Sequence, residues 1–255
     1  MRREDGRLTL LERLDLALAA RIALQREQID FGRPEDLRTA AATGDLVSDA
    51  LWVTRVLGLR GLAVARDEAE RVLRVAAPPA AGCSQEARLM FGMGTILQTI
   101  RRQSDHGKAP DGWGAVAMFR DLTNGIPRFR ANAIRRDDPW DGVFGVDYPR
   151  PDALPSALED FCEHASYGDD PAHFSELHPV RRSVQLMWTF ARIAPFPDFN
   201  GVMAFVMMNA YLLSQGYPMV TPQPEDKQML TQLVLGPKPQ RVVQFESRLV
   251  DAVGG

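Results

Sequence analysis

The chain has 255 residues, 45% of them hydrophobic and 25% charged, a balance that supports a packed core and excludes disorder for most of the length. With 30 basic against 33 acidic residues the net charge is -3, so no global positive field exists to neutralise many phosphates, which argues against general DNA or RNA binding. The two cysteines, Cys83 and Cys162, lie far apart, fit no metal-ligand spacing and are too few for a disulfide framework, which suits a reducing cytoplasm.

The opening MRREDGRLTLLERLDL alternates charged and apolar residues where an export signal would need an unbroken apolar stretch. The most apolar run, Val202 to Met208, is far short of the ~20 residues that span a bilayer. A cytoplasmic protein without a membrane partner is therefore expected, and a composition rich in Ala, Arg, Gly and Pro fits a GC-rich bacterial source.

In chain order, Leu8, Leu11, Leu14, Leu18, Ile22 and Leu24 recur at near 3.6-residue spacing and predict an amphipathic helix over 8–29. Leu46 to Val56 and Arg66 to Val75 also read as helices, separated by a turn at Gly58 and Gly61. The stretch AAPPAAG, residues 76–82, is the best linker and sets a soft boundary between an N-terminal helical region, 1–82, and a second unit, 83–255. Glu86 to Arg102 and Val116 to Leu122 are predicted helices. From Arg128 to Pro151, Pro, Gly and Asp punctuate short runs such as Val143 to Tyr148, so a hairpin-like excursion is expected there and any β-structure with it. Pro155 suits the first turn of a helix through Ala165.

Pro179 to Ile193 reads as a helix with Val180, Val184, Met187 and Ala191 on one stripe. Pro195 and Pro197 end it in a tight turn, and a second helix runs from Gly201 to Gly216, with Asn200 or Asp198 able to cap its free amides. Between Val202 and Leu213 the only strongly polar side chain is Asn209, so this helix is expected at the buried centre.

Helix, then PFPDFNG, then a buried helix closing in LLSQGYP resembles the Fic/Doc family, whose signature HPFx(D/E)GN(G/K)RxxR lies in the turn between two central helices. ELHPVRRSVQLMWTFARI is similar to the family's approach helix, and VMMNAYLLSQGYP to its exit helix. Upstream, FRDLTNGIPRFR and VDYPRPDALPSALEDF resemble the segments before and around the family's flap, so the likeness covers residues 90–235. It implies a mainly α, Fic-type helical fold with a short β-hairpin flap and an N-terminal helical layer.

The departures carry the functional expectation. The resemblance implies a histidine at position 194 as general base, deprotonating a target hydroxyl for attack on the α-phosphorus of ATP; Ala194 stands there and cannot accept a proton. Phe199 replaces the first motif glycine and is expected to fill the pocket, while Val202 and Phe205 replace the arginines that grip phosphate. Asp198, Asn200 and Gly201 remain at the positions that hold Mg²⁺ and build the anion-binding turn, with Asp198 open to either a metal-ligand or a helix-cap reading.

Residues 44–57 resemble the family's inhibitory helix, with Ser48 matching and Trp52 where a glutamate is usual, which implies an apolar Trp52–Phe205 clamp in place of an ionic one. The flap, with Val143, Phe144, Gly145, Val146, Asp147 and Tyr148, is expected to receive a protein partner as an added strand.

His178 reads as a helix-start residue, and His106, His164 and His173 have no spacing that suits zinc. Arg135, Arg136, Arg181 and Arg182 read as solvated surface charge. The first expectation is a catalytically degenerate Fic protein, a pseudoenzyme acting as a protein-binding or regulatory module through the flap or an oligomer interface, homo- or heteromeric. It needs no cofactor, and Mg-ATP is the ligand if nucleotide binding survives. The alternative is an AMP- or phospho-group transferase to a protein hydroxyl in which Ala194 is an engineered or natural replacement of histidine.

Overall fold

The computed structural model describes residues 45–161, except 76, 81, 110 and 130–132, and residues 179–254, except 237 and 238. The helix expected over 8–29 and the residues Cys162, His164, His173 and His178 lie outside the described residues.

The elements are α1 Leu46–Leu59, α2 Arg66–Val75, α3 Gln85–Ser104, α4 Gly112–Leu122, α5 Leu154–Glu159, α6 Pro179–Ile193, α7 Asn200–Ser214, α8 Asp226–Leu235 and α9 Pro239–Gly254. Single 3-10 turns lie at Pro127–Phe129 and Pro151–Ala153. The last two helices were not read from the sequence, although Val242, Phe245 and Leu249 recur at helical spacing in α9. α4 begins before Val116 because the Asp111 carboxylate accepts the Gly114 amide at 2.6 Å and starts the helix there. Asp45 and Ser84 cap α1 and α3 in the same way, through the amides of Val47 and Ser48 and of Ala87.

α7 is the axis of the fold. It packs against α6, α3, α1 and α4, and every residue from Val202 to Ala210 is buried. Between Val202 and Leu213 its one buried polar side chain, Asn209, is satisfied at both ends: its amide donates to Phe205 O at 3.1 Å and its oxygen accepts the Val220 amide at 2.6 Å. α3 and α4 approach closely at Gly92, where a Cβ would lie 2.5 Å from Asp121 O. Arg101 on α3 makes a two-pronged bond to Asp49 on α1, at 2.8 and 2.5 Å. Residues on both sides of 76–82 share one hydrophobic core, running from Ala50 to Leu249.

The β-hairpin expected at 143–148 does not form. No strand occurs among the described residues. Val143 to Val146 make a tight turn closed by the Val146 amide on Val143 O at 3.2 Å, with Gly145 at φ 82°. Tyr148 folds back so that its hydroxyl accepts the Val143 amide at 2.8 Å, which consumes a donor that a strand partner would have needed. No helix among the described residues is long and apolar enough to cross a membrane.

Candidate functional site

The turn between α6 and α7, residues 194–199, is built by proline and by two residues in left-handed backbone, Ala194 at φ 43° and Phe199 at φ 64°. Asn200 holds it from within: its side-chain oxygen accepts the Phe196 amide at 2.9 Å, and its side-chain nitrogen donates to Phe196 O at 2.9 Å. Arg135 holds it from outside, correcting the surface reading of that residue. It is 3% exposed, and its guanidinium donates to Ala194 O at 2.6 Å, Pro149 O at 2.6 Å and Asp137 O at 3.0 Å. The Arg135 and Trp140 backbone amides add bonds to Pro195 O and Pro197 O, at 2.9 and 2.7 Å. The expected flap region thus spends backbone donors on its own chain.

Asp198 is buried and meets cations. Its Oδ1 accepts Arg60 Nε at 2.5 Å and the Phe199 amide at 2.8 Å, while Oδ2 faces Arg60 Nη2 at 3.4 Å and Arg128 Nη2 at 3.5 Å. The hydrogen bond to Asp198 holds the Arg60 guanidinium above its usual value. Arg128 also lies over the rings of Phe129 and Trp140, at 4.7 and 5.8 Å. Arg60 follows the last residue of α1, so the N-terminal layer reaches the motif through a salt bridge.

The free amides of α7 are capped by neither Asp198 nor Asn200. The carboxylate of Asp141 does this, with Oδ2 accepting the Asn200 and Gly201 amides at 2.6 and 3.4 Å and Oδ1 accepting Asn200 Nδ2 at 2.7 Å. Burial pushes the Asp141 carboxyl above its ordinary range; the Asn200 hydrogen bond offsets part of this, and the nearby Asp198 charge adds to it. Burial likewise pushes the Tyr148 phenol up.

A cleft of about 180 Å³ opens beside the turn, lined among others by Arg60, Asp141, Tyr148, Ala194, Val202 and Lys227. That is below the roughly 300–1,000 Å³ of ordinary ligand pockets. Phe199, expected to fill the pocket, does not line it: the side chain is turned into the core, edge-on to Phe129 at 6.0 Å. Phe129 in turn meets Phe119, which stacks on Phe196 at 4.1 Å. Phe205 is also buried away from the cleft. Trp52 is buried, but its indole N–H donates to Val220 O at 3.2 Å, and no ring contact joins it to Phe205 among the described residues. Ser48 is exposed and bonds its own cap, Asp45, at 2.8 Å. Phe144 is 99% exposed at the tip of the 143–146 turn.

A sequence model of the Fic/DOC family matches residues 115–212, from α4 to α7. Residues 115–212 form a Fic domain. The fold around it is similar to solved structures at 16–17% identity, which establishes the fold alone. A Fic-domain-containing signaling protein from Bacteroides thetaiotaomicron has TM-score 0.66 and 16% identity over 93% of this chain and 94% of that one. Fic-1 from C. elegans has TM-score 0.67 and 16% identity, covering 95% of this chain and 72% of that one. A Fic family protein from Desulfovibrio desulfuricans has TM-score 0.61 and 17% identity over 99% and 75% of the two chains. No curated protein is significantly similar to the chain.

In this Fic domain the ligand set does not fit Mg²⁺. Asp198 already receives two guanidinium groups and a backbone amide, so a divalent ion would have to displace Arg60 and meet Arg128. No group of three or more His, Cys, Asp or Glu suited to a metal occurs among the described residues. Sequence reading missed Arg60, Arg128, Asp141 and Lys227 because each reaches the turn from a separate segment. Arg60, in GLRGL, carries no local pattern, and Asp141, in DPWDG, reads as an ordinary turn residue.

Proposed function

We propose that this Fic-domain protein does not transfer nucleotide and serves as a protein-binding or regulatory module. The carrying observation is the state of Asp198, which is buried and ion-paired to Arg60 beside an alanine at position 194. Without a proton acceptor at Ala194 the general-base contribution, typically ~10²- to 10⁴-fold, is missing. With Asp198 neutralised by protein cations, the phosphate-bound metal has no free carboxylate to join. Binding to a protein needs neither group. The turn 143–146 presents Phe144 to solvent on a backbone fixed by Tyr148, a pre-ordered aromatic anchor of the kind that protein interfaces use.

The test is incubation of the protein with labelled ATP, GTP, UTP and CDP-choline, with Mg²⁺ and a lysate as acceptor. The wild-type chain and an Ala194→His variant are both expected to leave acceptors unlabelled. Labelling by the wild type, or its recovery with A194H, favours the transferase reading and overturns this one. Titration calorimetry is expected to find Mg-ATP binding weaker than ~1 mM, because the cleft is small and its anion-binding amides are taken.

A further inference from the structure

A second cleft, of about 400 Å³, lies between the C-terminal end of α1 with the loop after it and the segment that leads into α8. Its volume falls inside the roughly 300–1,000 Å³ of ordinary ligand pockets, which the cleft beside the turn does not reach. Leu59, Leu62, Val64 and Pro224 give it apolar walls, and Arg55 and Lys227 bring two cations. No acidic side chain lines it.

Both walls are fixed by bonds within the chain. The Val220 backbone is held from two sides, its amide by Asn209 Oδ1 at 2.6 Å and its carbonyl by the Trp52 indole of α1 at 3.2 Å. Gln223 N donates to Asp226 Oδ2 at 2.8 Å and ties the end of that segment to α8. On the other wall, Gly61 N donates to Gly58 O at 2.8 Å and Leu62 N to Leu57 O at 3.4 Å. A ligand would therefore meet a pre-formed cleft and would not have to order it.

Two features of the cleft have no internal explanation. The first is Gly58, inside α1, where glycine is less favourable than alanine. Gly61 is explained by its φ of 90°. Gly58 has no positive φ, and a Cβ on it would meet nothing within 4 Å, so neither the backbone nor close packing demands it. What it does is line the cleft, where a larger side chain would take up the space. The second is the pair of cations. Arg60, Arg66 and Arg101 each meet a carboxylate, whereas the side chains of Arg55 and Lys227 make no hydrogen bond or ion pair among the described residues.

We propose that this cleft binds a small organic acid with an apolar body, its carboxylate between Arg55 and Lys227 and its hydrocarbon against Leu59, Leu62 and Val64. Two uncompensated cations with no lining acid select an anion, and the apolar walls select one that carries hydrocarbon. Leu59 and Lys227 also line the cleft beside the turn, and Arg60 follows Leu59, so the occupant would sit against the segment that pairs with Asp198. The inference goes beyond the non-transferring reading and does not depend on it, since no step of catalysis enters.

The test is calorimetric titration of the full chain with octanoate, against acetate, 1-octanol and octylammonium at matched ionic strength. One-to-one binding of octanoate is expected with a Kd of about 1 mM or tighter, and binding of the other three at least tenfold weaker. Gly58→Phe fills the cleft from a helical position and is expected to weaken octanoate at least tenfold, with helical circular dichroism and thermal midpoint kept. An Arg55→Ala, Lys227→Ala double variant is expected to lose as much, and it decides the matter if G58F does not fold. Wild-type protein that binds no octanoate at 10 mM overturns the proposal, as does 1-octanol or octylammonium binding as tightly as octanoate. Undiminished binding by folded G58F would place the acid in the cleft beside the turn, which Gly58 does not line, and would equally overturn it. A blocked Leu-Glu-Leu peptide that binds where octanoate does not would assign the cleft to a protein segment and reject the small acid. None of these readouts moves with nucleotide transfer, so failure here and failure of the non-transferring reading are separable.

Discussion

Arg60, one residue past the end of α1, donates its Nε–H to Asp198 Oδ1 at 2.5 Å, so the N-terminal helical layer and the Fic turn are joined by a partly buried ion pair. The Asp198 side chain is 2% exposed and that of Arg60 37%. The arginine pays little to approach, whereas the carboxylate depends on it for compensation.

Substituting Arg60→Ala leaves Asp198 with Arg128 and the Phe199 amide. The expected loss is about 1–3 kcal/mol of unfolding free energy, reduced from the cost of a fully buried pair because solvent screens Arg60. Urea denaturation of R60A, D198A and the double variant would measure it. A coupling energy near zero would show that the pair adds nothing.

Arg135→Ala removes the donor to Ala194 O, Asp137 O and Pro149 O at once and leaves the buried Ala194 carbonyl without that partner. A loss of about 3–4 kcal/mol is expected. Arg135→Lys should recover less than half, since an ammonium cannot reproduce the planar fork. Equal stability of R135K and the wild type would contradict this.

Phe199→Gly tests whether the family glycine would be better in the turn. Relief of the left-handed φ of 64° is worth about 1 kcal/mol, but loss of a fully buried ring costs about 3–5. The variant is therefore expected to be less stable by about 2–4 kcal/mol. A rise in its thermal midpoint would mean that the ring contributes less than its burial implies.

Phe144→Ala is expected to leave stability within about 0.5 kcal/mol, since the side chain is 99% exposed. Destabilisation beyond 1 kcal/mol would show that Phe144 packs against its own chain.

Asp45 gives the pH dependence. The Ser48 backbone amide, followed by the Ser48 hydroxyl, holds its carboxyl below the ordinary 3.8. A depressed folded value means that the cap's contribution is present above pH 3.8 and is lost as pH falls through the folded pKa. The stability difference between the wild type and Asp45→Ala should therefore be constant near neutrality and shrink in the acid range below 3.8. A difference unchanged down to pH 2 would rule out the carboxylate as the cap.

The amino-acid sequence by itself determined the helical frame. Periodic apolar residues placed α1, α2, α3 and α6, and the near absence of polar residues after Val202 marked α7 as the centre. It also determined what is missing at the motif, because a side chain's chemistry is local information: Ala194 cannot take a proton in any fold. What only tertiary structure decided is who fills the places around the turn. Arg60, Arg128, Arg135 and Asp141 converge on residues 194–201 from separate segments, and neither spacing nor composition encodes such meetings. The burial of Phe199 among phenylalanines, the collapse of the expected hairpin into a turn closed by Tyr148, and the indole of Trp52 turned to Val220 O are of the same kind. The Phe199 and Trp52 placements rest on long-range contacts, and the turn at 143–148 on a side-chain bond that no apolar pattern displays.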